Sequence, residues 1–213
     1  MSRSLIVHRI APGATVQDLG RNGYLAFGLS RGGALDRTAL YEGAALLRQD
    51  VACAALELPG AGGMFEATCD LRIALTGAPM RAQVEGTALV WNASHVLPKG
   101  ARLEIGALIS GSTGYLHVGG GFDVPERLHA RSAHLAAKVG AVVAGGEHLP
   151  VGVDVNDEVG MALPLDRRFD GGAVRLVESF QTHLYDADTR ARFEETVFKR
   201  DARANRMGMR LNS

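Results

Sequence analysis

Apolar residues between Ala54 and Val118 recur at every second position, and that period decides what the chain can become. Leu71, Ile73 and Leu75 alternate with Asp70, Arg72 and Thr76; Leu103 and Ile105 with Arg102 and Glu104; Leu116 and Val118 with Tyr115 and His117. Successive side chains of a strand point to opposite faces, so each pattern predicts a half-buried strand. Turn residues separate the runs. Glu85-Gly86 lies between two short strands, and Leu97-Pro98-Lys99-Gly100 carries Pro and Gly where a type I turn takes them. Short strands at this spacing predict a mainly antiparallel sandwich or barrel.

The flanking segments add a few helices. Leu5 to Ile10 reads as a strand stopped by Pro12-Gly13. Asp36 reads as the N-cap of a helix over 37–48, with Leu40, Ala44 and Leu47 at helical spacing and Gly43 weakening it. Residues 119–150 break the strand rhythm, with a short helix expected around His134 to Val139. A strand is expected at Val174 to Val177. A helix capped by Asp186 or Asp188 should hold Phe193 and Val197 on one side and pair Arg190 with Glu194. The composition turns more charged from Asp166 on, which places a domain boundary there.

Between the first strand and the first helix stands PGATVQDLGRNGYLAFGLSRGGALD, residues 12–36. An ordinary connection needs about 4 to 6 residues. A much longer one, dense in glycine and charge, is more often functional than a plain link. Gln17, Asp18 and Arg21 fall within five positions. Such groups either fasten the loop through an ion pair or Asx turn, or meet a ligand. Residues alone leave both open, give Arg31 and Arg131 only an exposed-charge reading, and make Met80 core or edge filler.

Other motifs carry less. Gly119 to Gly121 lack the Lys-Ser/Thr that follows a phosphate-binding loop and read as a turn. His129 and His134 are five apart, where paired zinc ligands on a helix want i,i+4, so no metal site is expected. No GxSxG elbow is present. Cys53 and Cys69 read as small buried residues. Lysine plus arginine and aspartate plus glutamate are 23 each, so no one-signed field exists for nucleic acid or an anionic membrane. The N-terminal apolar run is short and broken by His8 and Arg9, and no window nears the roughly 18 apolar residues of a span. The expectation is a cytoplasmic protein.

PG.TVQDLGR.GY...G...GGA.D resembles the opening signature of the biotin-dependent carboxyltransferase-like family, also called allophanate hydrolase subunit 2. Its stand-alone bacterial members are described as the C subunit of 5-oxoprolinase. Further segments match in the family's order: Leu56-Glu57, ALTGAPM at 74–80 with Pro79 where Asp is usual, YLHVGGGFDVP at 115–125, HARSAH at 129–134 and NRMGMRL at 205–211. The chain departs from the pattern at Leu47-Arg48-Gln49-Asp50 and at Glu178-Ser179-Phe180. Family chains also continue beyond RMGxRL, so the resemblance implies a chain truncated at its C-terminus.

The resemblance implies a mainly β fold. Residues 1–165 would form a cyclophilin-like β-barrel with a few short helices, and 166–213 would begin a second, incomplete one. Exposed barrel edges would favour a homo-oligomer or poor solubility. The implied function is that of the C subunit in a 5-oxoprolinase complex, working with the A and B subunits in the ATP-dependent opening of 5-oxoproline to glutamate. ATP would be bound by the complex, not necessarily by this chain. The implied substrate-binding residues are Gln17, Asp18, Arg21, Gly32, Gly33, Asp36, Gly77, Met80, Arg131 and Arg206, with no nucleophile or base named. One alternative is a biotin-dependent carboxyltransferase of urea amidolyase type, with biotin carried on another chain. Another is a non-catalytic module antagonising a histidine-kinase inhibitor.

Overall fold

The structure is a computed structural model that describes residues 3–165, 167–172, 175–201, 208 and 210–213. It divides into two compact units, Met1–Asp170 and Gly171–Ser213. Among the described residues the first holds eleven strands: β1 (Ser4–Ile10), β2 (Thr15–Gln17), β3 (Ala55–Pro59), β4 (Gly63–Ala67), β5 (Leu71–Gly77), β6 (Met80–Val84), β7 (Thr87–Ala88), β8 (Ala93–Leu97), β9 (Arg102–Leu108), β10 (Thr113–Val118) and β11 (His148–Pro150). They form two antiparallel sheets, ordered β11-β1-β4-β9-β6-β7 and β2-β3-β10-β5-β8. The mainly β, antiparallel architecture is the one the alternation requires.

The core lies between the sheets. Leu5, Val7, Phe65 and Leu103 from one sheet meet Leu56, Leu58, Ile73 and Leu116 from the other, all fully buried. β9 keeps the expected alternation, with Leu103 and Ile105 inside and Arg102 exposed. β5 and β10 do not, because every residue of both is buried. The cause is α1 (Arg37–Leu47), which lies on the outer face of their sheet. Ala39 and Leu40 pack with Ala55 and Tyr115, and Leu46 and Leu47 pack with Ala74.

The polar residues that alternation sends to this outer face must therefore be paired. Thr76 Oγ1 donates to the Ala39 carbonyl and lies 2.8 Å from His117 Nε2. Arg72 makes a two-point ion pair with Asp154, at 2.8 and 2.6 Å, and also donates to the Leu47 and Glu158 carbonyls. Gly43, the expected weak point of the helix, is where the helix meets the sheet: a Cβ there would sit 2.3 Å from the His117 ring.

Local signals fare well at the turns and caps. Asp36 accepts from Ala39 N–H at 3.2 Å and starts α1 one residue later. Glu85 and Gly86 both take positive φ, as a tight hairpin turn demands. The turn after β8 instead joins Ala101 N–H to the Pro98 carbonyl, with Gly100 at φ 75°, which type I does not use. The expected helix near His134 shrinks to a single 3-10 turn, Leu135–Ala137.

In the second unit, α2 (Ala187–Glu195) is capped by Asp186, whose carboxylate accepts from Thr189 N–H at 2.7 Å. Val197 falls outside it, and Arg190 pairs with Glu178 at 3.2 Å rather than with Glu194. Phe193 packs instead on Phe198. Residues 175–177 are not in a strand, and Val174 lies outside the described residues. β12 (Lys199–Arg200) and β13 (Leu211–Asn212) form a short ladder. Among the described residues no helix is long and apolar enough to cross a membrane.

Candidate functional site

The segment 12–36 is no slack loop. It contains β2, which pairs with β3, and it folds back on itself. Arg21 N–H donates to the Arg31 carbonyl and Ala34 N–H to the Asp18 carbonyl, both at 2.9 Å. The arms touch so closely that a Cβ on Gly20 would lie 2.7 Å from the Arg31 carbonyl oxygen, and one on Gly33 2.7 Å from Gly20 N. Only glycine permits that approach. At the far end, Leu35 N–H donates to Glu57 and Asp36 N–H to the Tyr115 hydroxyl, which itself donates to Glu57 at 2.8 Å. Burial, above all, pushes the Tyr115 phenol well above its ordinary value.

The polar motif residues point inward, at one short piece of chain. Gln17 Nε2 donates to the Ala133 carbonyl, Arg21 Nη2 to the Ser132 carbonyl, and Asp18 Oδ2 accepts the Arg131 N–H at 2.6 Å. Ala133 N–H completes the set by donating to the Val16 carbonyl. Three consecutive residues, 131–133, are thus gripped by side chains more than a hundred positions away. Gln17 and Arg21 are 1% exposed and Asp18 is 8% exposed, so none of the three faces solvent.

What the clamp presents is the Arg131 side chain. It lines a groove of about 910 Å³ with Val16, Val124, Arg127, Lys138 and Val143. Its guanidinium meets Asp123 at 2.9 Å and Glu126 at 3.5 Å and remains a third exposed. The groove is lined by apolar residues together with three cations, Arg127, Arg131 and Lys138, and two carboxylates, Glu126 and Glu147. That mix suits a small ligand with an apolar body and an anionic end.

The structure brings Gln17, Asp18, Arg21, Gly32, Gly33 and Arg131 together and places the other expected residues elsewhere. Asp36 is a helix cap, in an ion pair with Arg168 at 3.1 Å. Gly77 turns the corner into β6 against the Tyr115 ring, and its carbonyl accepts from Trp91. Met80 is core, at 2% exposure. Arg206 lies outside the described residues. Sequence reasoning missed Ser132 and Ala133, whose backbone is what the motif grips, although both stand in the matched HARSAH segment.

Two suggestive features resolve on geometry. Ser30 Oγ and His134 Nε2 are 2.8 Å apart, like a nucleophile and its base. Yet Ala137 N–H donates to His134 Nδ1, so the neutral ring carries its proton on Nε2 and cannot take that of Ser30. The triple glycine is filled by protein. A Cβ on Gly119 would sit 1.8 Å from an Asp154 oxygen, and Gly121 lies against Cys53. No triphosphate fits there, and among the described residues no group of three or more His, Cys, Asp or Glu is placed to hold a metal ion.

The first unit is thus two packed antiparallel sheets with a glycine-rich clamp that holds an arginine at a groove. The carboxyltransferase domain family, subdomains A and B, matches residues 27–213, and the chain belongs to that family. It is 32% identical over 202 residues to the 5-oxoprolinase C subunit of Escherichia coli, covering 92% of this chain and 64% of the relative. The Haemophilus influenzae protein of the same name is 28% identical over 204 residues, covering 93% and 65%. The chain therefore spans slightly under two thirds of these relatives' length. The crystal structure of TTHA0988 is 26% identical with a TM-score of 0.90, covering 99% of this chain and 78% of that one. The Kluyveromyces lactis urea amidolyase shares the fold at a TM-score of 0.83 and 20% identity, over 100% of this chain and 14% of that enzyme.

Proposed function

We propose that the chain acts as the C subunit of a 5-oxoprolinase-type complex, supporting ATP-dependent opening of 5-oxoproline to glutamate beside the A and B subunits. The carrying observation is the grip of Gln17, Asp18 and Arg21 on residues 131–133, which sets Arg131 at the groove wall. In this reading Arg131 contacts the substrate, and the three motif residues position it. A lactam is a poor electrophile and needs ATP-coupled activation. In this reading the complex binds the nucleotide, and this chain contributes binding and orientation.

The test is reconstitution of the full-length protein with its A and B partners, assayed for ATP-dependent glutamate release. Arg131→Ala should raise KM or abolish turnover, and Asp18→Ala should do so more weakly. Activity unchanged in both would refute the site. Activity absent from the intact complex would favour the non-catalytic regulatory role.

A second reading is carboxyl transfer, favoured by 30% identity over 132 residues to the Saccharomyces cerevisiae urea amidolyase. The mixed apolar and charged lining of the groove is compatible with a biotin ring delivered on another chain. Carboxylation of urea by a complex inert toward 5-oxoproline would select it.

A further inference from the structure

We propose that two left-handed turns at the groove, one at Leu128-His129 and one at Lys138, are its specificity elements, presenting Leu128 and the unpaired cations of Arg127 and Lys138 to a small carboxylate with an apolar body. The inference rests on the groove being the ligand site, as in the proposed function.

The first observation is backbone strain gathered in one place. Among the described residues six that are not glycine take positive φ. Three of them, Leu128 at 53°, His129 at 58° and Lys138 at 56°, lie on or beside this groove. Leu128 and His129 are the central pair of a tight turn. The Arg127 N–H donates to the Ala130 carbonyl at 2.8 Å and the Ala130 N–H to the Arg127 carbonyl at 3.3 Å. Asn-Gly is the usual pair where both φ are positive. A leucine there is strained, and strain of this kind gathers at ligand sites. Local packing offsets little of it. Leu128 is 45% exposed, and His129 only stacks on Tyr24 with ring centroids 6.5 Å apart and approaches Glu126 at 3.9 Å. What fixes the turn is the clamp, which begins one residue later at the Arg131 N–H. Lys138 ends the 3-10 turn with its N–H on the Leu135 carbonyl, a position where glycine is the common choice.

The second observation is where the groove's positive charge is left unmet. The Arg131 guanidinium is shared by Asp123 and Glu126, so two carboxylates already answer its charge. Among the described residues, Arg127 and Lys138 have no carboxylate within ion-pair distance, yet both line the same groove. Glu147 accepts the Ala144 N–H at 3.2 Å. Arg131 can touch the ligand, but the compensating charge comes from these two neighbours. Leu128, Val139 and Val142 supply apolar lining beside them. Free cations on such a lining suit one anionic end on an apolar body.

The test titrates the 15N-labelled chain with cyclopentanecarboxylate, which has an apolar ring and a carboxylate but no lactam. Saturable amide shifts are expected at 127–131 and 138, and cyclopentanecarboxamide, which is neutral, should give none. Arg127→Gln and Lys138→Gln should each weaken binding about threefold to fivefold, and together about tenfold, with Tm nearly unchanged. The double variant Leu128→Asn, His129→Gly should relieve the strain and raise Tm by about 4 to 8 °C while weakening binding. A turn that is merely structural would give a lower Tm or unchanged binding, and either result overturns the proposal. So does equal binding of the carboxamide, or binding indifferent to Arg127 and Lys138. 5-Oxoproline separates this inference from the functional reading. Binding of cyclopentanecarboxylate without 5-oxoproline keeps the specificity elements and removes the lactam reading. A reconstituted complex that turns over 5-oxoproline with unchanged KM in the Arg127→Gln, Lys138→Gln variant keeps that reading and overturns this inference.

Discussion

Replacing Asp154 by Asn tests how the outer face of the second sheet is held. The Arg72–Asp154 pair is only 7% exposed on either side, with two contacts at 2.8 and 2.6 Å. Removing one partner of a buried pair costs about 3 to 5 kcal/mol, because the other charge is left uncompensated. Arg72 would keep its bonds to the Leu47 and Glu158 carbonyls, so the lower end, about 3 kcal/mol, applies. For a unit of this size that corresponds to a Tm lower by about 6 to 12 °C. The dependence on pH has a definite sign. Burial alone would raise the Asp154 carboxyl, but hydrogen bonds from Arg72 and Asn156 N–H and the Arg72 charge hold it below the ordinary range. A carboxyl depressed in the folded state adds stability above its unfolded pKa and loses it as pH falls through the folded value. The gap between wild type and Asp154→Asn should therefore close in acid. Thermal unfolding by circular dichroism across pH reads both effects. A cost below about 1 kcal/mol at neutral pH, or a gap that widens in acid, refutes the reasoning.

Three further outcomes are expected. Gly43→Ala gains helix propensity but drives a methyl into the His117 ring, for a net loss of about 1 to 2 kcal/mol in chemical denaturation. Tyr115→Phe takes one hydrogen-bond partner from Glu57 and one from the Asp36 N–H and should cost about 1 to 3 kcal/mol, read the same way. Burial lowers the His117 pKa to about 3. The unfolded chain thus takes up a proton that the folded one refuses, and stability should fall by about 1.4 kcal/mol per pH unit between the two pKa values on acidification. His117→Asn should flatten that slope in denaturation measured across pH.

The β architecture was legible because burial imposes a period of two, and α1 was legible because Asp36 caps it and apolar residues follow at helical spacing. The full burial of β5 and β10 was not. Arg72, Thr76 and His117 look solvent-facing until a helix far along the chain covers them. β2 was hidden because three residues of strand inside a glycine-rich segment carry no measurable period. The motif itself was visible, but its direction was not. Gln17, Asp18 and Arg21 read equally well as ligand contacts or as fasteners, and the choice depends on backbone at 131–133 that no local pattern connects to them. Gly77 and Met80 entered through the matched segment and turn out to shape a corner and fill the core.

The claim that the motif holds residues 131–133 in place is tested most directly by amide hydrogen exchange on wild type and Asp18→Ala. Losing the acceptor of the Arg131 N–H should cost about 1 to 3 kcal/mol locally, so exchange at Arg131 should quicken about tenfold to a hundredfold, with Ala133 following more weakly. β9, outside the clamp, should exchange as in wild type. Unchanged exchange at Arg131, or quickening spread evenly over the whole unit, would contradict the account.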